Sequence, residues 1–266
     1  MVKDSDKSYP TMPSFCVTPA IVLRSWPFGE SDKIVSFLTQ DYGKVTGIAK
    51  GAKRSRKRFV NTLELFAWVQ LRFVDRPHSS LVFIQACDLV RPFKNLTTSL
   101  EKIAHASSLI ETTDGLIGER EANPPLFEHL KNGLVFLEEH ASSLDFLTFF
   151  ELKLLQLSGY QPWFHHCRRC EKKFQRHLPD HWRFSPRDGG ILCESCSELR
   201  REAVSLSAAA LAALTGFQQA KDFPAPDSSI PPPVLKEALT VLLRFIQFQI
   251  NKELKSTPFV DAFSFA

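Results

Sequence analysis

The first third of the chain places apolar residues at alternate positions or in short blocks, a spacing typical of β-strands. Five such runs occupy residues 17–24, 33–40, 44–49, 65–74 and 80–90. Turn-forming residues separate the runs, with Trp26 to Glu30 predicted as one turn and Asp41 to Gly43 as another. Five short strands predict a small closed or partly open barrel over residues 14–93, which an OB-fold or an SH3-like barrel would satisfy.

Beyond residue 93 apolar residues recur every three or four positions rather than every second position, which is the spacing of helices. Helices are predicted at residues 99–117, 124–140, 143–157, 206–220 and 234–254. The segment 143–157 is apolar on more than one face, so it should lie at the centre of a bundle. The predicted organisation is a disordered tail (1–13), the barrel (14–93), a helical domain in two parts (94–160 and 201–266), and an insertion (161–200) between them.

The insertion carries two Cys-x-x-Cys pairs, Cys167 with Cys170 and Cys193 with Cys196, separated by 22 residues. Each pair can direct two sulfurs at one ion, and a hairpin turning at Asp188 would bring the pairs together. Four thiolates form a tetrahedral cage that suits Zn²⁺. Two disulfides, a redox dithiol and an iron–sulfur cluster are the alternatives. With four protein ligands no coordination position is open for water, so the metal is predicted to be structural.

Charge is concentrated in two short stretches, although the net charge is only +4. The first lies between the third and fourth predicted strands and has no acidic residue; its cations are Lys50, Lys53, Arg54, Arg56, Lys57 and Arg58. The second, in the insertion, includes Arg168, Arg169, Lys172 and Lys173. Clusters of this kind on an otherwise acidic chain favour a polyanionic partner. The alternatives are a solvated loop for the first stretch and a solubilising shell around the metal for the second.

Other residues of the barrel extend this prediction. Arg24 and Lys44 would continue the cationic track along the strands. Trp26, Phe28 and Phe59 are aromatic side chains that could stack on nucleic-acid bases. Packing in the core or in a turn is the alternative for each of the three rings.

Several classes of protein are disfavoured. There is no apolar run of 18 residues and no apolar region of the signal-peptide type near the start, so no membrane association is expected. Cysteines arranged in tight pairs suit a reducing, cytoplasmic compartment. The chain contains no G-x-S-x-G, G-x-x-x-x-G-K-[ST] or H-E-x-x-H motif, and nothing in it points to an enzyme or a small-molecule substrate.

Two phrases carry a family resemblance: FGESDKIVSFLTQDYGKVTGIAKGAKRS at residues 28–55 and FSPRDGGILCESC at residues 184–196. With the order of strands, helices and inserted cysteines, they resemble the bacterial recombination mediators of the RecO family. The resemblance implies an α+β multidomain protein, with an N-terminal OB-fold barrel, a helical domain and a four-cysteine zinc site at the positions named above.

The same resemblance implies a role in the RecF pathway of DNA repair. Members bind single- and double-stranded DNA, anneal complementary strands and assist the loading of RecA on DNA coated by single-strand-binding protein (SSB). The implied partners are RecR and the SSB C-terminal tail, with RecA involved indirectly, in the bacterial cytoplasm at the nucleoid. An RNA-binding module with an OB-fold and a zinc ribbon, or a protein scaffold, is the alternative.

Overall fold

A computed structural model of the chain describes residues 14–76, 79–174, 181–224 and 229–263. The predicted tail at residues 1–13 lies outside these ranges. The described residues form two compact units. The first unit ends at Pro92 and also includes Glu119–Ala122; the second unit contains the remaining described residues. No described helix is long and apolar enough to cross a membrane.

The first unit is a closed barrel of five strands. They are β1 (Ser14–Phe28), β2 (Asp32–Thr39), β3 (Gly43–Ala49), β4 (Trp68–Asp75) and β5 (Val82–Arg91). The strands follow one another around the barrel in the order β1-β2-β3-β5-β4, and β4 pairs with β1 to close it. The pairing of β3 with β5 is parallel, and all other pairings are antiparallel. This Greek-key arrangement is that of the OB-fold, which confirms the predicted fold class.

Side chains at alternate positions of the strands point inward and fill the interior of the barrel. Every second residue of β3 is buried, and Val45 and Ala49 belong to the barrel core. Gly47 does not interrupt this strand; it lies where β3 meets β5. A Cβ atom on Gly47 would lie 2.6 Å from Val82 Cγ2 and 2.9 Å from Val82 O. Glycine therefore permits the close approach of the two parallel strands.

Two predicted boundaries in the barrel are wrong. The predicted turn at residues 26–30 is shorter, because β1 continues to Phe28 through pairing of Trp26 with Ile34 and of Phe28 with Asp32. The fourth strand begins at Trp68 rather than at Leu65. The residues before it contribute to the core in another way: Phe66 has a left-handed backbone (φ 70°), and its side chain is buried.

The second unit contains helices and a small sheet. In chain order these are α1 (Leu100–Leu116), α2 (Pro124–Glu139), α3 (Leu144–Leu157), β6 (Trp182–Ser185), β7 (Gly190–Cys193), α4 (Glu194–Ser197), β8 (Val204–Leu206), α5 (Ala208–Gln219), α6 (Pro232–Ile250) and α7 (Thr257–Phe263). The short helices α4 and α7 and the short strand β8 are not predicted from the sequence. The backbone N–H groups of Lys255 and Ser256, just before α7, donate to the carboxylate of Glu111 on α1.

Side-chain caps mark the starts of the first three helices. The side chains of Ser99, Asn123 and Ser143 each accept a hydrogen bond from the backbone N–H three residues later. Such a bond satisfies one of the donors that the first helical turn leaves without a partner. Helix α3 packs against α1, α2, α5 and α6. Its position at the centre of the bundle agrees with its apolar residues on several faces.

The centre of the bundle contains a carboxyl group, Glu151 on α3, which is 1% exposed. Thr112 Oγ1 donates to Glu151 Oε1 at 3.2 Å, and Oε2 has no partner among the described residues. Burial raises the pKa of Glu151 to about 8, against a smaller lowering by the Thr112 hydrogen bond. The folded state therefore holds a proton that the unfolded state releases above pH 4.5. The contribution of Glu151 to the free energy of unfolding is therefore complete below that pH, and it is lost as the pH rises toward about 8.

We expect Glu151→Gln to remove this pH dependence, because the amide is neutral and similar in shape to the protonated acid. Urea unfolding of both proteins should give similar free energies near pH 5, and the variant should be more stable by about 4 kcal/mol near pH 8.5. Glu128→Gln is the control, since the Glu128 side chain is 45% exposed and its carboxylate pairs with Lys131 at the surface. Parallel curves for wild type and Glu151→Gln would contradict the prediction.

Candidate nucleic-acid interface and metal site

The segment Lys50 to Phe59, here called the basic loop, leaves the barrel after β3 and is fastened at both ends. Ala52 and Phe59 are buried and belong to the barrel core. A short 3₁₀ helix, Ala52–Arg54, begins after Gly51, whose left-handed backbone (φ 69°) favours glycine. Apolar anchors therefore hold a cationic segment on the barrel, so the loop is not a freely projecting finger.

Asp32 attaches the basic loop to the turn between β1 and β2. Its Oδ1 accepts hydrogen bonds from the Gly51 backbone N–H at 2.8 Å and from Ser31 Oγ at 2.9 Å. Lys53 adds two contacts, from its backbone N–H to Ser31 O at 2.9 Å and from Nζ to Gly29 O at 2.8 Å. The hydrogen bond from Gly51, then that from Ser31, lowers the pKa of Asp32, and Lys50 and Lys53 act in the same direction. Sequence reasoning missed Asp32, because its partner lies 19 residues away.

All six cations of the basic loop are exposed. Within the part of the chain that the structure describes, none of them forms an ion pair with a carboxylate. Arg58 is partly committed to the loop itself: its guanidinium donates to Lys50 O at 3.0 Å and lies 5.0 Å from the centre of the Phe59 ring. Arg54, Arg56 and Lys57 have no such side-chain contact. Their charges can therefore be compensated by an external anion.

The other predicted contact residues of the barrel differ in accessibility. Arg24 is exposed on β1. Lys44 is 14% exposed, and its Nζ lies 4.0 Å from Glu119 Oε1, so it is less accessible than the loop cations. Phe59 packs in the core, so the packing alternative is right for this ring. Trp26 and Phe28 remain substantially exposed.

The cysteine pairs meet because the chain before the first pair runs beside strand β7. The Ile191 backbone N–H donates to Trp163 O at 3.0 Å, and the Arg168 N–H donates to Ile191 O at 2.9 Å. A Cβ atom on Gly190 would lie 2.7 Å from Trp163 O, so this approach requires glycine. The hairpin of β6 and β7 then delivers Cys193 at the end of β7.

Local turns direct the sulfurs inward. In the first pair, the Cys167 N–H donates to Lys172 O at 2.8 Å, and the Glu171 N–H, on a left-handed residue (φ 61°), donates to Cys167 O at 3.0 Å. In the second pair, Cys193 immediately precedes α4, which carries Cys196. All four Sγ atoms lie within 4.8 Å of one another, and none is in a disulfide. A tetrahedral site with metal–sulfur bonds of about 2.3 Å separates its sulfurs by about 3.8 Å, so the set can hold one metal ion.

Hydrogen bonds around the sulfurs favour negative charge on two of them. Burial raises the pKa of Cys193, but the Ser195 hydroxyl, the Cys196 backbone N–H and neighbouring thiols outweigh it and lower the pKa to about 6. Burial likewise opposes ionisation of Cys167, while backbone N–H groups, including that of Cys170, lower its pKa overall. A thiolate is the form that binds a metal. The arrangement therefore fits a soft cation.

Asp188 fixes the turn that joins the two strands of the hairpin. Its carboxylate accepts from Arg200 Nε at 2.8 Å and from Ser185 Oγ at 2.6 Å. Asp188 was predicted to lie in the turn, but its partner Arg200 was not predicted.

Of the second basic stretch, Arg168 is bonded to this turn, since its Nε donates to Asp188 O at 3.3 Å and its guanidinium lies 5.7 Å from the Trp163 ring centre. The side chains of the other three cations, Arg169, Lys172 and Lys173, are exposed.

These features define a class: an OB-fold protein that carries an exposed cationic loop, followed by a helical unit with a four-cysteine cluster. Comparison with known proteins places the chain in a family of this class. The family model described as recombination protein O, N terminal, matches residues 12–93, and the corresponding C-terminal model matches residues 97–258.

Individual relatives extend over nearly the whole chain. A protein of Syntrophus aciditrophicus is 31% identical over 249 residues, covering 92% of this chain and 94% of the relative. One of Caldanaerobacter subterraneus is 32% identical over 246 residues, covering 92% and 97%. Both are named DNA repair protein RecO. The chain therefore belongs to the RecO family of DNA repair proteins.

Proposed function

We propose that this protein is a non-catalytic, DNA-binding mediator of repair and homologous recombination that anneals complementary single strands. The observation that carries the proposal is the basic loop, whose exposed cations have no carboxylate partner among the described residues. Two DNA strands repel each other until cations compensate their phosphates, and base pairing then selects the complementary strand. No covalent bond in the DNA has to be made or broken for this reaction.

Contacts to phosphates make binding dependent on salt. If about four loop cations contact single-stranded DNA, a plot of log K against log salt concentration should have a slope of about −3. Fluorescence anisotropy with a labelled oligonucleotide between 50 and 300 mM NaCl measures the slope. A slope near zero would contradict phosphate binding by the loop.

Matched DNA and RNA oligonucleotides distinguish DNA repair from a role on RNA. We expect the protein to bind DNA at least as tightly as RNA of the same sequence and to accelerate pairing of complementary DNA strands, followed by a fluorescence-quenching pair on the two strands. A clear preference for RNA, without acceleration of DNA annealing, would instead support an RNA-binding module.

Family membership supports the finer steps of the proposed role. These are assistance in loading RecA on SSB-coated DNA, with RecR and the SSB C-terminal tail as direct partners, in the bacterial cytoplasm at the nucleoid. Titration of the full-length protein with a peptide of the SSB tail tests one of these contacts directly. Failure to bind the peptide, with DNA annealing intact, would separate strand annealing from the SSB-dependent step.

Zn²⁺ is the metal that we propose for the four-cysteine cluster, because four thiolates in a tetrahedral arrangement suit this ion. Cys167, Cys170, Cys193 and Cys196 would hold it, and it would serve the fold of the surrounding segment. The four protein ligands fill its coordination sphere, so DNA binding does not require a direct contact with the metal.

A further inference from the structure

The end of β1 carries two aromatic side chains that the barrel does not bury. Trp26 is 39% exposed and Phe28 is 50% exposed. They are alternate residues of one strand, so their side chains project from the same face of the sheet. Neither ring contacts another aromatic ring among the described residues. Single exposed rings are common, but two exposed aromatic side chains on one face of one strand form an apolar patch, and such a patch points to a ligand.

Strand pairing holds the two rings in place. Trp26 pairs with Ile34 and Phe28 pairs with Asp32 in the ladder between β1 and β2. Both residues follow the irregularity between Val22 and Arg24, so Arg24 shares their side of the strand. The positions of the rings are therefore set by a hydrogen-bonded strand rather than by a loop.

The same strand end adjoins the basic loop. Phe28 is followed by Gly29, whose carbonyl accepts the hydrogen bond from Lys53 Nζ at 2.8 Å. Asp32, the strand partner of Phe28, accepts the hydrogen bond from Gly51. Aromatic surface and unpaired positive charge thus lie side by side, which is the combination that binds single-stranded nucleic acid: cations contact the phosphates and rings stack on the bases.

We propose that Trp26 and Phe28 form a stacking site that holds a nucleobase of single-stranded DNA while the basic loop contacts the neighbouring phosphates. This inference rests on the proposed DNA-binding function. Alternate residues of a strand are about 6.6 Å apart, and stacked bases lie about 3.4 Å from each other, so one base fits between two such rings.

The site distinguishes single strands from duplexes. Bases in a duplex are already stacked and paired, so they are not available to Trp26 and Phe28, whereas the phosphates remain available to the basic loop. A strand held through its bases would lose this contact when it pairs with its complement. The stacking site therefore favours binding of the reactant strands and release of the annealed product.

The test compares Trp26→Ala and Phe28→Ala with Phe15→Ala as the matched control. Phe15 also lies on β1 and is 74% exposed, but it is at the opposite end of the strand. The probes are oligothymidine and an abasic oligomer of equal length, which has the same phosphates and no bases. Each site variant should bind oligothymidine at least 5-fold and up to about 150-fold more weakly, while its affinity for the abasic oligomer stays within 2-fold of wild type.

Two further measurements report on stacking itself. Oligothymidine should quench the fluorescence of Trp26, seen as the difference between wild type and Trp26→Phe, and the abasic oligomer should not. Trp26→Phe should retain most of the affinity, since phenylalanine also stacks. Site variants that bind oligothymidine as Phe15→Ala does would overturn the stacking site but leave phosphate binding intact. A wild-type protein that binds neither probe would overturn the proposed function as well.

Discussion

Strand annealing is expected to be lost when Arg54, Arg56 and Lys57 are all replaced by Glu. These side chains are exposed and make no ion pair or hydrogen bond among the described residues, so the change removes external contacts without breaking internal ones. Arg58 is left unchanged because it bonds the backbone of the loop. Affinity for single-stranded DNA should fall by about 100-fold or more at 50 mM NaCl.

The salt dependence gives a second readout of the same variant. Three fewer phosphate contacts should reduce the slope of log K against log salt from about −3 to about −1. The matched control reverses the same number of charges on the helical unit, at Lys221, Arg244 and Lys252, which are also exposed. We expect the control to anneal DNA at close to the wild-type rate, since a general effect of net charge is small beside the loss of direct contacts. Equal losses in both triple variants would show that the basic loop is not the DNA site.

Replacing Cys193 by Ser is expected to release the metal and to unfold the segment 161–200. Cys193 is buried at the end of β7, and its Sγ lies 3.5 Å from that of Cys170. Structural zinc contributes about 10 kcal/mol or more in small zinc-binding peptides, so its loss outweighs the packing of the few apolar side chains that this segment buries, such as Phe164 and Phe184. Wild type should contain about one equivalent of zinc by elemental analysis, and the variant should contain almost none.

Limited proteolysis shows which segment unfolds in the Cys193→Ser variant. The variant should be cleaved rapidly within residues 161–200, while its barrel resists cleavage and its affinity for DNA falls far less than in the loop variant. Cys87→Ala is the control, because Cys87 is a free, buried cysteine of the barrel and should not affect the metal. Wild-type protein with less than about half an equivalent of zinc, or with iron and visible absorption in its place, would contradict the assignment to zinc.

Local sequence signals were sufficient for a large part of the fold. Alternation in β3 and the starts of the first three helices depend on residues that are neighbours in the chain, and the structure places both within one residue of the predicted positions. The two-residue spacing within each cysteine pair likewise predicts a tight local turn that brings its two sulfurs together. These features could be predicted because the interactions that produce them span only a few residues.

Other features depend on partners that are distant in sequence. Trp26 and Phe28 lie in a stretch of turn-forming residues, yet pairing with β2 makes it strand. Nothing in the neighbourhood of Asp32 indicates that its carboxylate would accept a hydrogen bond from Gly51. The parallel contact of β3 with β5, which distinguishes the OB-fold order from other barrels, is also a pairing between strands that are not consecutive.

The amino-acid sequence alone determined the types of most elements, the two Cys-x-x-Cys pairs that fit a metal site and the cationic composition of the loop, since each is a property of residue type and short-range spacing. Only the tertiary structure decided which cations are exposed without a carboxylate partner, that Phe59 is an anchor of the loop and that Trp26 and Phe28 are not buried. Burial and the pairing of charges depend on which distant segments pack together, and the local pattern of residues does not specify that packing.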